Sequence, residues 1–240
     1  MKLIRFGAIG DEKPGLYIDK ETILDLSGFG EDYNEEFFNN DGLNRLQNWV
    51  KQNNKNLKTI NPDIRIGPPV CRPSKIICIG LNFLDHAKES GVTPPTEPII
   101  FFKSTTSICG PYDNLIIPKN AKKTDWEVEL AIVINKKAKY IHEKDTSNYI
   151  AGYLLHNDYS EREYQLEREG QWVKGKSCDT FAPIGPYLVT KDEIKDINNL
   201  NLSLDVNGKR HQTGNTSLMI FNFNYLISHL SYFMTLMPGD

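Results

Sequence analysis

Two glutamates stand two positions apart at the start of an apolar, β-branched run. Glu127 and Glu129 lie in the stretch 124–134, TDWEVELAIVI, whose second half predicts a buried strand. Side chains alternate across a strand, so the two carboxylates share a face, where they repel each other at a cost that desolvation raises. A divalent cation would relieve this repulsion, and hard oxygen ligands suit Mg²⁺, Mn²⁺ or Ca²⁺. The competing interpretation is a solvated strand end with two surface glutamates.

Asp158 is a natural third ligand for such a cation. It follows the predicted strand 151–156 and precedes a predicted helix, a junction where functional side chains are often displayed. Three carboxylates leave coordination positions for water and substrate oxygens. Lys176, in the Gly-containing charged stretch 172–181, could hold an anionic oxygen near the metal. The plainer interpretations are a residue that starts a helix for Asp158 and a solvated surface lysine for Lys176.

His86 and Glu89 lie three apart on a predicted helix and therefore share a face. A histidine oriented by a carboxylate is a common arrangement for activating water; the alternative is an ordinary surface pair. The sequence contains no P-loop, no dinucleotide-binding fingerprint and no Gly-x-Ser-x-Gly nucleophile motif. The order of histidine, paired glutamates, aspartate and lysine is more specific than any of its parts.

Composition excludes several classes of protein. The 240 residues carry a net charge of -3, so no basic surface suggests nucleic acid as a partner. No apolar run approaches the length of a membrane span, and the amino terminus lacks the apolar stretch of a signal peptide. The four cysteines show no CxxC spacing, which argues against zinc and against a disulfide framework. We therefore expect a cytoplasmic protein with reduced cysteines and no membrane partner.

The pattern of elements predicts an α+β, mainly β protein in two parts. Residues 1–70 are expected to form a small β-rich N-terminal domain with one helix around 43–50, followed by the Pro-rich punctuation at 61–69. Residues 71–240 form the second domain, with Asn82 as the N-cap of a helix and a capping box at 160–163 starting another. The main predicted strands are 2–9, 16–18, 22–26, 75–79, 99–102, 115–117, 128–134, 151–156, 187–189 and 202–206, and a helical segment is expected at 217–234.

Four segments strongly resemble the fumarylacetoacetate hydrolase family, and the resemblance runs from about Lys75 to the end. They are IGLNFLDHA at 79–87, EPIIFFK at 97–103, KTDWEVEL at 123–130 and GKSCDTF at 175–181. The resemblance implies a mixed β-sandwich roll, usually dimeric, in which three carboxylates hold a divalent metal. By motif, the metal ligands match Glu127, Glu129 and Asp158. The active-site lysine matches Lys176, and a dyad on a lid helix matches His86 and Glu89.

Details of the match favour one branch of the family. The fumarylacetoacetate-cleaving branch has a further aspartate ligand seven positions before the histidine, where this chain has Ile79, so the three-ligand bacterial branch fits better. Many relatives have arginine where Leu81 stands, which disfavours an oxaloacetate decarboxylase. The segments 1–7 and 12–16 resemble a subgroup named 2,4-diketo-3-deoxy-L-rhamnonate hydrolase or ureidoglycolate lyase. Family members continue past the position of Asp240 into a strand and a Thr-Gly-Thr-Pro loop, so we expect a catalytic domain truncated at its C-terminus.

The resemblance thus implies a Mg²⁺-dependent enzyme that hydrolyses a C–C bond of a small 2,4-dioxo, sugar-derived acid and releases pyruvate. Its expected partners are a 2-oxo acid substrate and a second copy of the chain in a homodimer. Two alternatives keep the same site: ureidoglycolate lyase, and a hydratase or isomerase of 2-oxo-enoates. A further alternative is a truncated, non-catalytic remnant.

Overall fold

A computed structural model describes residues 1–89 and 91–240 of the chain. The strands in these residues are β1 Lys2–Phe6, β2 Lys13–Tyr17, β3 Ile23–Asp25, β4 Thr59–Ile60, β5 Ile66–Gly67, β6 Ile76–Gly80, β7 Ile99–Lys103, β8 Ile108–Cys109, β9 Thr124–Asp125, β10 Val128–Ile134, β11 Ile150–Asn157, β12 Ser160–Glu161, β13 Ala182–Thr190, β14 Asn201–Val206 and β15 Lys209–Asn215. The α-helices are α1 Glu35–Asn39, α2 Gly42–Asn53, α3 Leu84–Glu89, α4 Arg162–Leu166, α5 Val173–Lys176 and α6 Phe223–Phe233. The mainly β, mixed fold expected from the sequence is confirmed.

One sheet of nine strands organises the molecule. Its order is β10-β11-β13-β1-β2-β3-β4, with β5 beside β1 and β8 beside β13. The junction between β1 and β13 pairs Lys2 with Val189 and Leu3 with Leu188. Strands from residues 1–70 and from the rest of the chain therefore belong to the same sheet; the division into two domains stays a prediction.

The face of β10 and β11 changes from polar to apolar along its length. Ala131 of β10 lies opposite Leu154 of β11, and both pack into the larger hydrophobic core. Further along the same face, Glu129 lies opposite His156. The apolar part of the face supplies the buried area that fixes the register of the pair, because a one-residue slip would turn these side chains to the opposite face. The core members that are most completely buried include Leu3, Leu26, Tyr33, Leu46, Ala151 and Leu188.

The opposite face of β10 and β11 packs against a second core. Ile134 and Tyr153 contribute from the sheet, and Ile227 and Leu230 contribute from α6. The sequence predicts a helical segment at 217–234, whereas the long helix begins at Phe223, after Asn222 accepts a hydrogen bond from the Tyr225 amide. In the described part of the chain, no helix combines the length and the apolar character that a membrane span requires.

Three expectations about local structure are wrong. Residues 115–117 form no strand, and Ile116 and Ile117 are exposed. The expected capping box at 160–163 does not form either, because its first residue, Ser160, belongs to β12 and donates its hydroxyl hydrogen bond to the Asp158 carbonyl. The Asn82 side chain does not cap α3. It instead donates to the carbonyl and accepts from the amide of Phe221.

A glycine at the junction of β11 and β13 gives a test of this packing. A Cβ atom at Gly152 would lie 2.1 Å from the Val189 carbonyl oxygen, so we expect Gly152→Ala to lower the free energy of unfolding by about 1–3 kcal/mol through overpacking. The matched control is Gly214→Ala on β15, where a Cβ meets no atom within 4 Å. Urea denaturation of both variants measures the difference. Equal midpoints would contradict the close approach of β11 and β13.

Candidate active site

The register of β10 and β11 brings four chemically active side chains to one face. Glu129 lies directly opposite His156, and the Asp158 amide donates a hydrogen bond of 2.8 Å to the Glu127 carbonyl. Glu127 and Asp158 lie one residue beyond the ends of β10 and β11 and continue the alternation of side chains, so they share this face with Glu129 and His156. Cross-strand neighbours on one face of a sheet have Cβ atoms about 4.5–5.5 Å apart. The pairing therefore forces these four polar groups together.

The carboxylates of Glu127, Glu129 and Asp158, called the carboxylate cluster from here on, come together as the sequence predicts. Each offers an oxygen atom within 4.8 Å of an oxygen of the other two. Asp158 has 0 % exposure, whereas Glu127 and Glu129 remain partly accessible. The cluster is therefore buried on the side of Asp158 and accessible on the side of Glu127 and Glu129.

Lys176, the predicted active-site lysine, lies against the cluster. Its ammonium nitrogen is 2.7 Å from Glu127 Oε2 and 2.7 Å from Asp158 Oδ2, and the residue is 1 % exposed. The ammonium group also lies 5.0 Å from the centre of the Phe101 ring. A lysine has three N–H donors, and the two carboxylates account for two of them, so one remains for another oxygen.

A second buried lysine was not identified in the sequence. Lys103, at the end of β7 and 2 % exposed, donates to Asp158 Oδ1 and also to the Tyr159 carbonyl at 2.9 Å. Its position in the strand could have indicated its burial, because Lys103 shares a strand face with the buried Phe101, two residues earlier. A buried lysine requires an anionic partner. Asp158 therefore faces two ammonium groups.

Arg162 was missed as well. This first residue of α4 donates from Nη2 to Glu127 Oε1 at 2.6 Å and to Asp125 Oδ2 at 2.7 Å. The tetrapeptide that contains Arg162 predicts only a helix start, although an arginine four residues after a candidate ligand aspartate is a signal for a charge partner. Arg162 and Lys176 together hold both oxygens of Glu127.

Charges within the cluster move the pKa values in opposite directions. Burial, together with the negative charges of Asp158 and Glu127, raises the pKa of Glu129 well above its usual value. Burial also raises the pKa of Asp158, but the Lys103 and Lys176 ammonium groups outweigh it and hold that pKa below its ordinary value. For Lys176, burial lowers the pKa, and the charges of Asp158 and Glu127 outweigh it and raise the pKa overall.

Glu129 is the member of the cluster whose charge is left uncompensated. Its side chain has no hydrogen-bond or ion-pair partner among residues 1–89 and 91–240, whereas Glu127 and Asp158 are each held by two cationic side chains. Three oxygen donors around a carboxylate without a counter-charge fit a hard divalent cation such as Mg²⁺, Mn²⁺ or Ca²⁺. The donor set therefore suits the kind of metal that the sequence predicted.

The other two predicted site residues are not brought into the cluster. His86 and Glu89 are exposed on the six-residue helix α3, and within the described chain neither forms a hydrogen bond or ion pair with the carboxylate cluster. The helix starts four residues after β6, the strand that carries Cys78, and Cys78 lies within 4.8 Å of a Glu129 oxygen. Their assignment as a catalytic dyad stays a prediction.

Comparison with known proteins identifies the family. Residues 75–240 match the sequence model described as fumarylacetoacetate (FAA) hydrolase C-terminal. The chain belongs to the fumarylacetoacetate hydrolase family. A Burkholderia cenocepacia protein provisionally named a hydrolase is 49 % identical over 240 residues, which are 100 % of this chain and 84 % of that protein. The family resemblance noted in the sequence is thereby confirmed, while the subgroup stays a prediction.

Two solved structures of this fumarylacetoacetate hydrolase fold are also similar. Maleylpyruvate hydrolase from Sphingobium sp. SYK-6, in complex with manganese(II) ion and pyruvate, has a TM-score of 0.85 at 26 % identity, covering 100 % of this chain and 86 % of that one. 5-Carboxymethyl-2-hydroxymuconate delta-isomerase from Mycobacterium smegmatis has a TM-score of 0.77 at 30 % identity, with 100 % and 85 % coverage. These relatives are a hydrolase and an isomerase of small organic acids.

Glu129 provides a test in which metal binding and stability change in opposite directions. Glu129→Gln removes a carboxyl group whose ionisation destabilises the metal-free fold. We therefore expect a higher thermal unfolding temperature without metal at pH values above the pKa of that group, and at least a tenfold loss of Mn²⁺ affinity, about 1.4 kcal/mol. A raised pKa makes ionisation destabilising, so the stability of the metal-free wild type should decline as the pH rises through the pKa of the folded state, and this decline should shrink in the variant. Calorimetric titration and thermal melts measure both effects.

The matched control for that test is Glu143→Gln, which neutralises an exposed carboxylate outside the cluster. It should leave both quantities unchanged. A Glu129→Gln protein that binds Mn²⁺ as the wild type does would show that the carboxylate cluster is not the metal site.

Proposed function

We propose that this protein is a divalent-metal-dependent hydrolase that cleaves the C–C bond between C3 and C4 of a small 2,4-dioxo acid and releases pyruvate. The observation that carries the proposal is the carboxylate cluster with the Lys176 ammonium group 2.7 Å from two of its members. A cation-binding group beside a lysine with a spare N–H donor suits an anionic 2-oxo acid. The complex of the similar maleylpyruvate hydrolase with manganese and pyruvate supports the same chemistry.

The charge balance of the site supports an acidic substrate. Lys103 and Lys176 offset two of the three charges of the cluster, and Arg162 offsets the charge of Asp125. The cluster would hold Mg²⁺ or Mn²⁺, which when bound supplies a Lewis acid for the substrate carboxylate and 2-oxo oxygens. A site with the cation in place carries a net positive charge, which favours binding of an organic anion.

Lys176 would stabilise the leaving fragment. Breaking the C3–C4 bond leaves its electron pair on the three-carbon fragment, which is the enolate of pyruvate. The remaining N–H of the Lys176 ammonium group can donate to the developing oxyanion, and a preorganised donor in a site that excludes water stabilises such charge strongly. Protonation of the enolate carbon then gives pyruvate.

His86 and Glu89 are assigned as the base and the carboxylate that orients it. His86 would remove a proton from the water that attacks the 4-carbonyl and return it to the enolate carbon, so the atoms of one water molecule appear in the products: the acid from C4 onward and pyruvate. Because α3 carries both residues on its exposed side, this assignment requires α3 to close over the cluster when substrate binds. Closure of short segments over bound substrate is common in enzymes.

An isomerase is the second candidate. The observation that favours it is the similarity to the Mycobacterium smegmatis delta-isomerase at 30 % identity and a TM-score of 0.77. Isomerisation of a 2-oxo-enoate uses the same anion-binding site and a base but adds no water and releases no pyruvate. The product therefore separates the two reactions, as release of urea would identify a ureidoglycolate lyase.

Pyruvate release tests the proposal. Metal-stripped protein is supplied with Mg²⁺ or Mn²⁺ and 2,4-dioxopentanoate, the simplest such acid, and pyruvate is measured with coupled lactate dehydrogenase. We expect turnover only with the metal, none with Glu127→Gln and native turnover with the exposed control Glu143→Gln. Loss of the substrate absorbance without pyruvate would favour the isomerase, urea from ureidoglycolate the lyase, and no reaction with any substrate the non-catalytic remnant.

The role of the dyad has its own test. His86→Gln should lower kcat by about 10²–10⁴-fold, the usual contribution of a general base, while leaving Mn²⁺ affinity unchanged because His86 does not contact the cluster. The control is His142→Gln, another exposed histidine outside the site, which should retain native kcat. Native turnover in the His86 variant would remove the dyad from the mechanism.

A further inference from the structure

A second group of potential metal ligands adjoins the carboxylate cluster. Cys78 on β6, Glu129 on β10 and His156 on β11 each offer one ligand atom, and these atoms lie within 4.8 Å of one another. Glu129 and His156 are opposite each other in the β10–β11 register, and Cys78 comes from the separate β6–β7 pair. The proposed hydrolase mechanism uses neither Cys78 nor His156.

The hydrogen bonding of His156 leaves one ring nitrogen without a partner. Nδ1 lies 3.2 Å from the Pro183 carbonyl oxygen, and a carbonyl only accepts, so Nδ1 carries the proton. The neutral tautomer with its proton on Nδ1 leaves a lone pair on Nε2. The side chain is 5 % exposed, and Nε2 is buried with no hydrogen-bond partner among the described residues.

This arrangement lacks a positive group. The Nε2 lone pair and the Glu129 carboxylate oxygens are all acceptors, and Glu129 has no cationic partner in the described chain. A histidine whose other nitrogen donates to a backbone carbonyl is the usual form of a metal-ligating histidine, because that hydrogen bond fixes both the tautomer and the ring orientation. A cation between Cys78, Glu129 and His156 would satisfy all three groups.

The ligand types select the class of metal. A sulfur, an imidazole nitrogen and a carboxylate oxygen suit a borderline transition ion such as Zn²⁺ or Co²⁺, whereas Mg²⁺ prefers oxygen only. The three residues also line a cavity of about 220 Å³ whose other walls are mostly apolar. A fourth coordination position can therefore point into that cavity, as in a zinc site that keeps one position open.

We propose that Cys78, Glu129 and His156 form a second metal site, selective for Zn²⁺-like ions and distinct from the oxygen-only carboxylate cluster. This site is linked to the proposed function only because both metal sites use Glu129. A Zn²⁺ ion here takes that ligand from the cation at the carboxylate cluster, and two close divalent cations repel each other. Zn²⁺ binding therefore lowers the affinity of the cluster for Mn²⁺, and the effect is reciprocal.

Cobalt provides a direct test, because a thiolate bound to Co²⁺ gives a sulfur-to-metal charge-transfer band. We expect the reduced, metal-stripped full chain to develop this band with one Co²⁺ per chain and to lose it when Zn²⁺ is added. Cys78→Ser should lack the band, and His156→Gln should need at least tenfold more Co²⁺. Cys109→Ser, which changes another buried cysteine outside the site, should keep the band.

Glu127→Gln separates this proposal from the proposed function. That variant loses a ligand of the carboxylate cluster alone, so its Co²⁺ band should persist even though its turnover is lost. If the protein proves not to be a hydrolase, the band is still expected. Zn²⁺ should weaken Mn²⁺ binding in the wild type and much less in Cys78→Ser.

Two results would overturn the proposal. One is a wild-type protein that does not develop the band. In that case a protonated Glu129 carboxyl group, rather than a metal, would be the partner of His156 Nε2. The other is a band that survives in Cys78→Ser, which would assign the metal to another thiol. Far-UV circular dichroism checks the fold of each variant, and if Cys78→Ser does not fold, Cys78→Ala and the affinity of His156→Gln decide the question.

Discussion

The site depends on one physical constraint, the antiparallel register of β10 and β11. That register sets Glu129 opposite His156 and continues to Glu127 and Asp158, so the acidic side chains share a face whether or not they attract each other. The apolar remainder of the face, with Ala131 opposite Leu154 in the core, makes any other register costly. Hydrophobic burial thus supplies the free energy that holds repelling carboxylates together.

The surrounding elements are arranged to offset that repulsion. Lys103 from β7 and Lys176 from α5 both contact Asp158, and Arg162 from α4 contacts Glu127. Buried charges are tolerated only with partners of opposite sign and good geometry, and removal of one partner from such a pair typically costs about 3–5 kcal/mol. Glu129 is the exception. A carboxylate left without a partner costs stability, a cost that functional sites commonly carry for the sake of binding.

The sequence predicts the parts of this site that follow from strand periodicity. The Glu-x-Glu spacing placed both carboxylates on one face, and the strand predicted at 128–134 has the bounds of β10. The sequence does not reveal side-chain partners that come together only in the tertiary fold. Ser160 by itself favours a helix N-terminus, but it pairs with β9 and is therefore a strand residue. The strand position of Lys103 indicates burial, but the sequence does not show that its partner is Asp158. His156 has no distinctive local pattern, and its partner in the site, Glu129, lies on another strand. The apolar residues 115–117 lack a strand to pair with, so their β propensity has no effect.

The elements of the site also differ in how firmly they are held. Glu129 stands on β10, Glu127 and Asp158 lie next to the ends of β10 and β11, and Asp158, Lys103 and Lys176 are almost completely buried, so packing restricts their positions. His86 and Glu89 stand on a helix of six residues with exposed side chains, and a helix of that length has little intrinsic stability, since isolated helices shorter than about 12–15 residues are marginal in water. Contacts with substrate are therefore the natural source of order for α3. The carboxylate cluster and its lysines form a firmly packed floor of the site, and α3 is held less firmly. Substrate can therefore enter before α3 brings the proposed general base, His86, over it.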